Sequence, residues 1–231
     1  MIRNEFFRGI RYPYITNATP NKRHDGLNIA RGAHAVDESV LKTEINAKGN
    51  AVMKLESLAR MNGFESSGAH SALFDAELTV KVLGLIKKNQ PQTWNTFLRT
   101  ANKADTEVII KKEKIFTLAE YHFGKNYRFV VAPLHPKYCI HPIYQWGQAV
   151  DLKVDPIPLL NMSISELKVA IKKLKFLKTI RSNKAPIILD ASYGMQVEPY
   201  RNLDPDLIKE RAKLVTSNEK FSENILTALR E

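Results

Sequence analysis

Apolar positions along the chain follow two textures, and the change from one to the other organises the reading. Residues 1–50 hold only short apolar clusters, broken by YPY, NATPNKRHDG and NAKGN, with one short helix predicted over GLNIARGAHAV. NAVMKLESLARMNG then predicts a helix with Leu55, Leu58 and Met61 on one side and Asn62-Gly63 as its stop. Beyond the loop FESSGA, steps of three and four through Leu73, Ala76, Val80 and Leu83 predict a longer helix from about His70 to Lys88. NQPQTW ends it, and Pro91 marks a boundary.

From there the chain turns β-branched and aromatic. TEVIIKKEKIFTLAEYHFGKNYRFVVAPLH predicts strand-like runs about a Gly124-Lys125-Asn126 turn, and YCIHPIYQWGQAVDLKV predicts further short strands. SISELKVAIKKLKFLKTI reads as one amphipathic helix over 163–181. A Ser163–Glu166 capping box opens it, and Ile164, Leu167, Ile171 and Leu174 form its buried side. APIILDAS predicts a last strand, Asp204-Pro205 caps a helix through Val215, and NEKFSENILTALRE predicts one more. No internal repeat or low-complexity tract interrupts this order.

Composition narrows the function classes. The 231 residues suffice for one or two domains, and no apolar run approaches the roughly 18 residues of a membrane span. The opening MIRNEFFRGIRYPY has basic residues but no apolar stretch or small-residue cleavage site, so it does not read as a signal peptide. A lone cysteine, Cys139, excludes an internal disulfide and fits a reducing cytoplasm. The net charge of +11 points to a polyanionic partner, nucleic acid first and an anionic membrane surface second.

Two groups stand out in SSGAHSALFDAELT, where His70 and Asp75 interrupt the apolar pattern at a loop-to-helix junction. A helix-borne carboxylate suits a divalent metal, and an imidazole on the loop side suits proton removal from water, the division of labour in two-metal phosphodiester hydrolysis. Five residues at about 100° each would set the pair about 140° apart on a regular helix, so they share a pocket only if His70 sits outside the helical path. The spacing alone is unspecific, and a surface aspartate with a first-turn histidine is its plain structural reading.

The surrounding residues give it context. KLESLARMNGFESSGAHSALFDA resembles the third exonuclease motif of the exodeoxyribonuclease I family, DEDD-type 3′–5′ exonucleases of the RNase H-like superfamily. RNEFFRGIRYPY and RHDGLNIARGAHAV resemble the family's segments after its second motif. Downstream, NQPQTW with Asn102-Lys103, VAPLHP and DPIPLL resemble its SH3-like domain. The resemblance implies an α+β chain: residues 1–90 as the mainly helical C-terminal part of an RNase H-like exonuclease domain, 91–203 as an SH3-like β domain with helical insertions, and 204–231 as the start of a C-terminal helical domain.

It further implies Mg²⁺-dependent release of mononucleotides from the 3′ end of single-stranded DNA in repair and recombination. His70 would be the general base and Asp75 a metal ligand, with Arg3, Tyr14, Arg31, Lys54 and Lys103 on the DNA. Lys54 stands where the family usually carries an arginine, which keeps the charge but loses the planar fork. Arginines and tyrosines at such places also serve ordinary surface and core duty. Single-stranded-DNA-binding protein would be a further partner, the state a monomer, the location the cytoplasm, with no membrane partner. The family's Asp-x-Glu pair and second aspartate have no match in this sequence, so the chain reads as a middle fragment, incomplete for catalysis by itself. A non-catalytic single-strand-binding module, a subunit completed by a separate piece, and an unstable truncation product without function are the competing readings.

Other candidates are weaker by context. Asp105-Thr106-Glu107 has the Asp-x-Glu form but follows the histidine motif. EYHFGKNYRFV interleaves Tyr121, His122, Phe123, Tyr127 and Phe129 with Lys125 and Arg128, which reads either as a stacking hairpin for nucleic acid or as a half-buried alternating pair of strands. His135, Cys139 and His141 lack a fourth ligand at zinc spacing. The lysines at 168, 172, 173, 175 and 178 read as a solvated helix face or as a DNA flank.

Overall fold

The computed structural model describes residues 1–231 apart from 1–4, 6, 7, 13, 17–20, 67–70, 123 and 231. Arg3 and His70 therefore lie outside the described residues. The chain is α+β, with helices before, within and after the stretch that forms one antiparallel sheet.

Helix α1, Gly26–Val36, starts where the Asp25 carboxylate accepts the backbone N–H groups of Leu27 and Asn28. Its buried side is built of Ile29, Ala30, Gly32, Ala33, His34 and Ala35. Such small residues let a helix lie close on its neighbours. A β-carbon on Gly32 would stand 2.9 Å from the Ile187 side chain. After a 3₁₀ turn at Glu38–Val40, helix α2 runs Leu55–Met61. It is shorter than predicted, because Ala51 bridges Ile45 in extended backbone and the helix begins only after Lys54. Asn62 and Gly63, at φ +81°, end it as expected.

Helix α3, Ala72–Asn89, is capped by the Ser71 side chain. Its inner face is Leu78, Val82 and Ile86, whereas Leu73 and Val80 of the predicted stripe are 72% and 71% exposed. The helix carries more than one apolar line at helical spacing, and the partners in space, α1 and α2, select which is buried. Pro91 opens helix α4, Pro91–Leu98, where its missing N–H costs nothing.

The strand-like TEVII instead belongs to helix α5, Lys103–Lys112. Asn102 accepts the Asp105 N–H, and Thr106, fully buried, donates its hydroxyl to the Asn102 carbonyl at 2.8 Å. A cap and a satisfied threonine here outweigh β-propensity.

Strands β1, Phe116–His122, and β2, Lys125–Pro133, form a hairpin whose register pairs His122 with Lys125. The reversal therefore lies before Lys125, with Gly124 at φ +81°, and Lys125 and Asn126 are strand residues rather than the turn. Strand β3, Gly147–Asp151, is the one full strand in the stretch YCIHPIYQWGQAVDLKV. Helix α6, Ile157–Leu160, precedes α7, Ile164–Leu174, which has the predicted Ser163–Glu166 capping box. Lys175 takes a left-handed φ of +51° and ends α7, so the predicted 163–181 helix divides into α7 and strand β4, Leu177–Ile180. On α7, Leu167 and Ala170 are buried, while Leu174 of the predicted inner side is 42% exposed. A 3₁₀ turn, Ser182–Lys184, leads to β5, Ile187–Leu189. Helices α8, Ala191–Met195, α9, Pro205–Ser217, and α10, Glu219–Arg230, complete the chain.

The sheet order is β4-β3-β2-β1-β5. One apolar core lies between the sheet and helices α5, α7, α9 and α10, around Phe116, Val131, Phe176, Ile208 and Ile225. The second is formed by α1 to α4 together with Ala119, Ile187 and Leu189 of the sheet. At the first core, the fully buried Asp151 receives the Tyr200 hydroxyl at 2.5 Å and stands 3.5 Å from Lys153 and 3.7 Å from Lys178. Burial and the neighbouring carboxylate both raise the Tyr200 pKa, so the phenol stays protonated and donates. Lys178, counted among the helical lysines in the sequence, instead lies on β4 over the Phe129 ring.

The close approach of α1 to β5 gives a first prediction. Gly32→Ala forces its methyl into branched Ile187, and should destabilise the fold by about 1–3 kcal/mol in denaturant unfolding. Unchanged stability would mean that α1 lies farther from the sheet.

Candidate nucleic-acid interface

Strand β5 is short, and it pairs with β1 only from Thr117 to Ala119. The rest of β1, Glu120–His122, runs on past it, and Arg31 and Gly32 of α1 face the same space. Between them opens a cleft of about 580 Å³, closed off by the end of β4, the following 3₁₀ turn and Trp146. Its charged groups are Arg31, Arg181 and Lys184 against a single carboxylate, Glu120, whose oxygen is 2.9 Å from the His122 imidazole.

Aromatic faces sit among these cations. The Arg31 guanidinium lies 4.6 Å from the Tyr121 ring centre, and the Tyr121 hydroxyl is anchored on the Ala51 carbonyl at 2.6 Å. Arg181 lies 5.1 Å from the Trp146 ring. Arg31 Nε is buried and has no hydrogen-bond partner among the described residues. Such a cleft suits a flexible polyanion with flat bases, since cations follow the backbone and rings take the bases.

The hairpin of the sequence reading divides between two surroundings. Tyr121 faces α1, while Tyr127 stacks parallel on Phe129 at 5.8 Å and is 38% exposed. Arg128 is turned inward, donating to the Tyr193 carbonyl at 3.1 Å, and Asn126 meets the buried His34 at 2.8 Å. Burial lowers the His34 pKa, so the ring packs neutral beneath the hairpin.

The residues named by the resemblance are dispersed. Arg31 lines the cleft. Lys103 opens α5, the helix packed on the 3₁₀ turn that carries Lys184, and its ammonium is 3.5 Å from Glu107. Lys54 is exposed at the start of α2, and Tyr14 is 47% exposed with its ring edge-on to Tyr12. Asp75 is half-buried in the first turn of α3, where a carboxylate also favours the helix dipole. Asp105 is held by Lys22 at 2.8 Å and by Asn102, which keep its pKa low, and Glu107 faces Lys103. That pair is helical and ion-paired, unlike an open metal site. Cys139 is buried with its thiol pKa raised to about 11 by burial. Trp146, Arg181 and Lys184 belong to segments that the sheet order does not set next to β1, so local sequence carries no sign of them, and only the three-dimensional closure of the cleft brings them together with Tyr121.

The chain spans about half the length of the curated relatives it matches. It is 27% identical over 240 residues to exodeoxyribonuclease I of Buchnera aphidicola subsp. Acyrthosiphon pisum, covering 96% of this chain and 56% of that protein. It is 28% identical over 206 residues to exodeoxyribonuclease I of Escherichia coli K12, covering 82% and 42%. The chain is homologous to exodeoxyribonuclease I. No family model matches it. Its fold is that of E. coli exonuclease I solved with a dT13 oligonucleotide, with a TM-score of 0.69, 24% identity, and coverage of 99% of this chain and 52% of that one. A solved ExoI/SSB-Ct complex superposes with a TM-score of 0.70 at 23% identity, covering 99% and 52%.

The cleft predicts a graded response to substitution at Arg31. Arg31→Ala should weaken oligo-dT binding and reduce the salt slope of log K by about 0.7, the value for one phosphate contact on a single strand. Arg31→Lys should restore the slope but not the full affinity, because lysine lacks the planar face that stacks on Tyr121. Fluorescence anisotropy at several salt concentrations reads both; wild-type behaviour of Arg31→Ala would remove Arg31 from the interface.

Proposed function

We propose that this chain holds single-stranded DNA for an exodeoxyribonuclease I-type 3′–5′ exonuclease and contributes His70 as general base and Asp75 as a metal ligand. The observation that carries the reading is the cleft where Arg31, Arg181 and Lys184 surround Tyr121 and Trp146, on a chain homologous to that nuclease. Solved relatives supply the ligand class, since E. coli exonuclease I is known in complex with a dT13 oligonucleotide and a further structure is an ExoI/SSB-Ct complex. Single-stranded DNA and single-stranded-DNA-binding protein are the partners we assign on that basis. Arg3, Tyr14, Lys54 and Lys103 complete the DNA-facing set in this reading.

We read residues 1–90 as the C-terminal part of an RNase H-like domain and 91–203 as an SH3-like domain, with 204–231 beginning a helical one. The five-strand sheet between Phe116 and Leu189 supports the middle assignment. Among the described residues no helix is long and apolar enough to cross a membrane, and a cytoplasmic monomer is the setting we infer.

Mg²⁺, the metal implied by the family, would carry the phosphate and polarise the water in such hydrolysis. Two-metal hydrolysis uses about four carboxylates. Among the described residues no three His, Cys, Asp or Glu side chains gather into a metal-holding group. The described residues by themselves therefore do not fit a two-metal centre, and hydrolysis in this proposal needs carboxylates beyond Asp75. What they do fit is the grip on the strand.

This makes a divided prediction for the 231-residue chain. It should bind oligo-dT with strong salt dependence and leave it uncut in Mg²⁺, as followed by gel and by nucleotide release. Mononucleotides released by the chain and abolished in His70→Ala would show a complete metal centre within these residues and overturn the division.

A further inference from the structure

The loop before β3 presents the Tyr144 ring to solvent and the half-buried Trp146 beside it on a hydrogen-bonded frame. Ile140 bridges Gly147, the His141 N–H donates to the Trp146 carbonyl at 2.8 Å, and the Gln145 N–H donates to the His141 carbonyl at 2.8 Å. Inside the loop the His141 ring is buried, and its Nδ1 accepts the N–H groups of Ile143 and Tyr144, each at 3.2 Å. That ring is therefore a neutral acceptor, and burial lowers its pKa in the same sense. Gln145 takes a left-handed φ of +56°, its side chain donates to the Pro142 carbonyl at 2.8 Å, and Ser182 donates to its backbone carbonyl at 3.3 Å.

The frame leaves Tyr144 57% exposed, with its ring stacked on Trp146 at 5.1 Å and an interplanar angle of 22°. Trp146 in turn lines the cationic cleft and carries Arg181 over its ring. The loop's hydrogen bonds do not require aromatic side chains at 144 and 146, because they run through backbone, His141 and Gln145. Tyr144 is thus exposed, and Trp146, half-buried beside it, connects its ring to the positive cleft. A rigid ring pair loses little entropy on stacking, and every base offers a π-face to it.

We propose that the Tyr144–Trp146 pair is a stacking platform for an unpaired nucleobase of the strand held in the cleft, with Arg181 taking the adjoining phosphate. This rests on the single-strand-binding reading and extends it to a second, chain-built subsite beyond Tyr121. The platform is sequence-tolerant, and it discriminates against duplex DNA, whose bases are already stacked on one another.

The chain has two tryptophans, so Trp94→Phe leaves Trp146 as its lone indole and Trp146→Phe leaves Trp94. Titration with oligo-dT should quench Trp146 emission along the isotherm given by anisotropy of a labelled oligo-dT, while the Trp94-only chain shows no quench. Tyr144→Leu, which keeps an apolar side chain on an exposed position, should weaken binding by roughly five-fold or more. If anisotropy reports binding while Trp146 emission stays constant and Tyr144→Leu binds as wild type, the platform is refuted and the single-strand-binding reading stands. If oligo-dT fails to bind at all, that reading falls and takes the platform with it.

Discussion

How closely α1 can lie on β5 decides where the cationic cleft can exist. The contact is made at Gly32, where no side chain intervenes between the helix and Ile187. That approach sets Arg31, the next residue back, over the Tyr121 ring, and it sets Asn28 within 2.9 Å of the Lys184 carbonyl. It also unites the α1–α4 helices with the sheet in one core through Ala119, Ile187 and Leu189. A bulkier helix face would move the arginine off the ring and open the cleft on one side. The architecture thus places a charge by packing, and burial of apolar surface holds the geometry that electrostatics then uses.

The cations around the cleft differ in what they do. Arg31 and Arg181 face rings, where a guanidinium can stack and still present its edge to phosphate. Lys178 is spent on the interior, between Asp151 and the Phe129 ring, and desolvation lowers its pKa there despite the carboxylate. A large share of the +11 charge sits on other faces, including Lys172, Lys173 and Lys175 at the end of α7. Charge alone draws a polyanion towards the whole molecule; rings interleaved with charge select a path across it.

Elements with local punctuation were legible in the sequence. The Ser163–Glu166 box, Asp204-Pro205 and Asn62-Gly63 each mark an end that the backbone obeys. Where several faces of a segment are apolar, local pattern could not choose. On α3 the buried line proved to be Leu78–Val82–Ile86, with only Leu83 of the expected stripe packed against the core, and around Thr106 a helix cap prevailed over strand-forming side chains. The cleft was legible in part for the same reason. Arg31 and Tyr121 each belong to a recognisable segment, but Trp146, Arg181 and Lys184 come from the ends of β3 and β4 and the turn that follows, which are not next to β1 in the sheet, and meet them only in the folded cleft, which no local spacing encodes.

The account stands on the strand's path, and photocrosslinking maps that path directly. Oligo-dT carrying 4-thiothymidine would be irradiated with the chain and the crosslinked peptides identified by mass spectrometry. The account predicts crosslinks in the peptides that carry Tyr121, Tyr144 and Trp146. Crosslinks confined to the lysine-rich face of α7, with none at those rings, would show that the DNA follows charge alone and would contradict it.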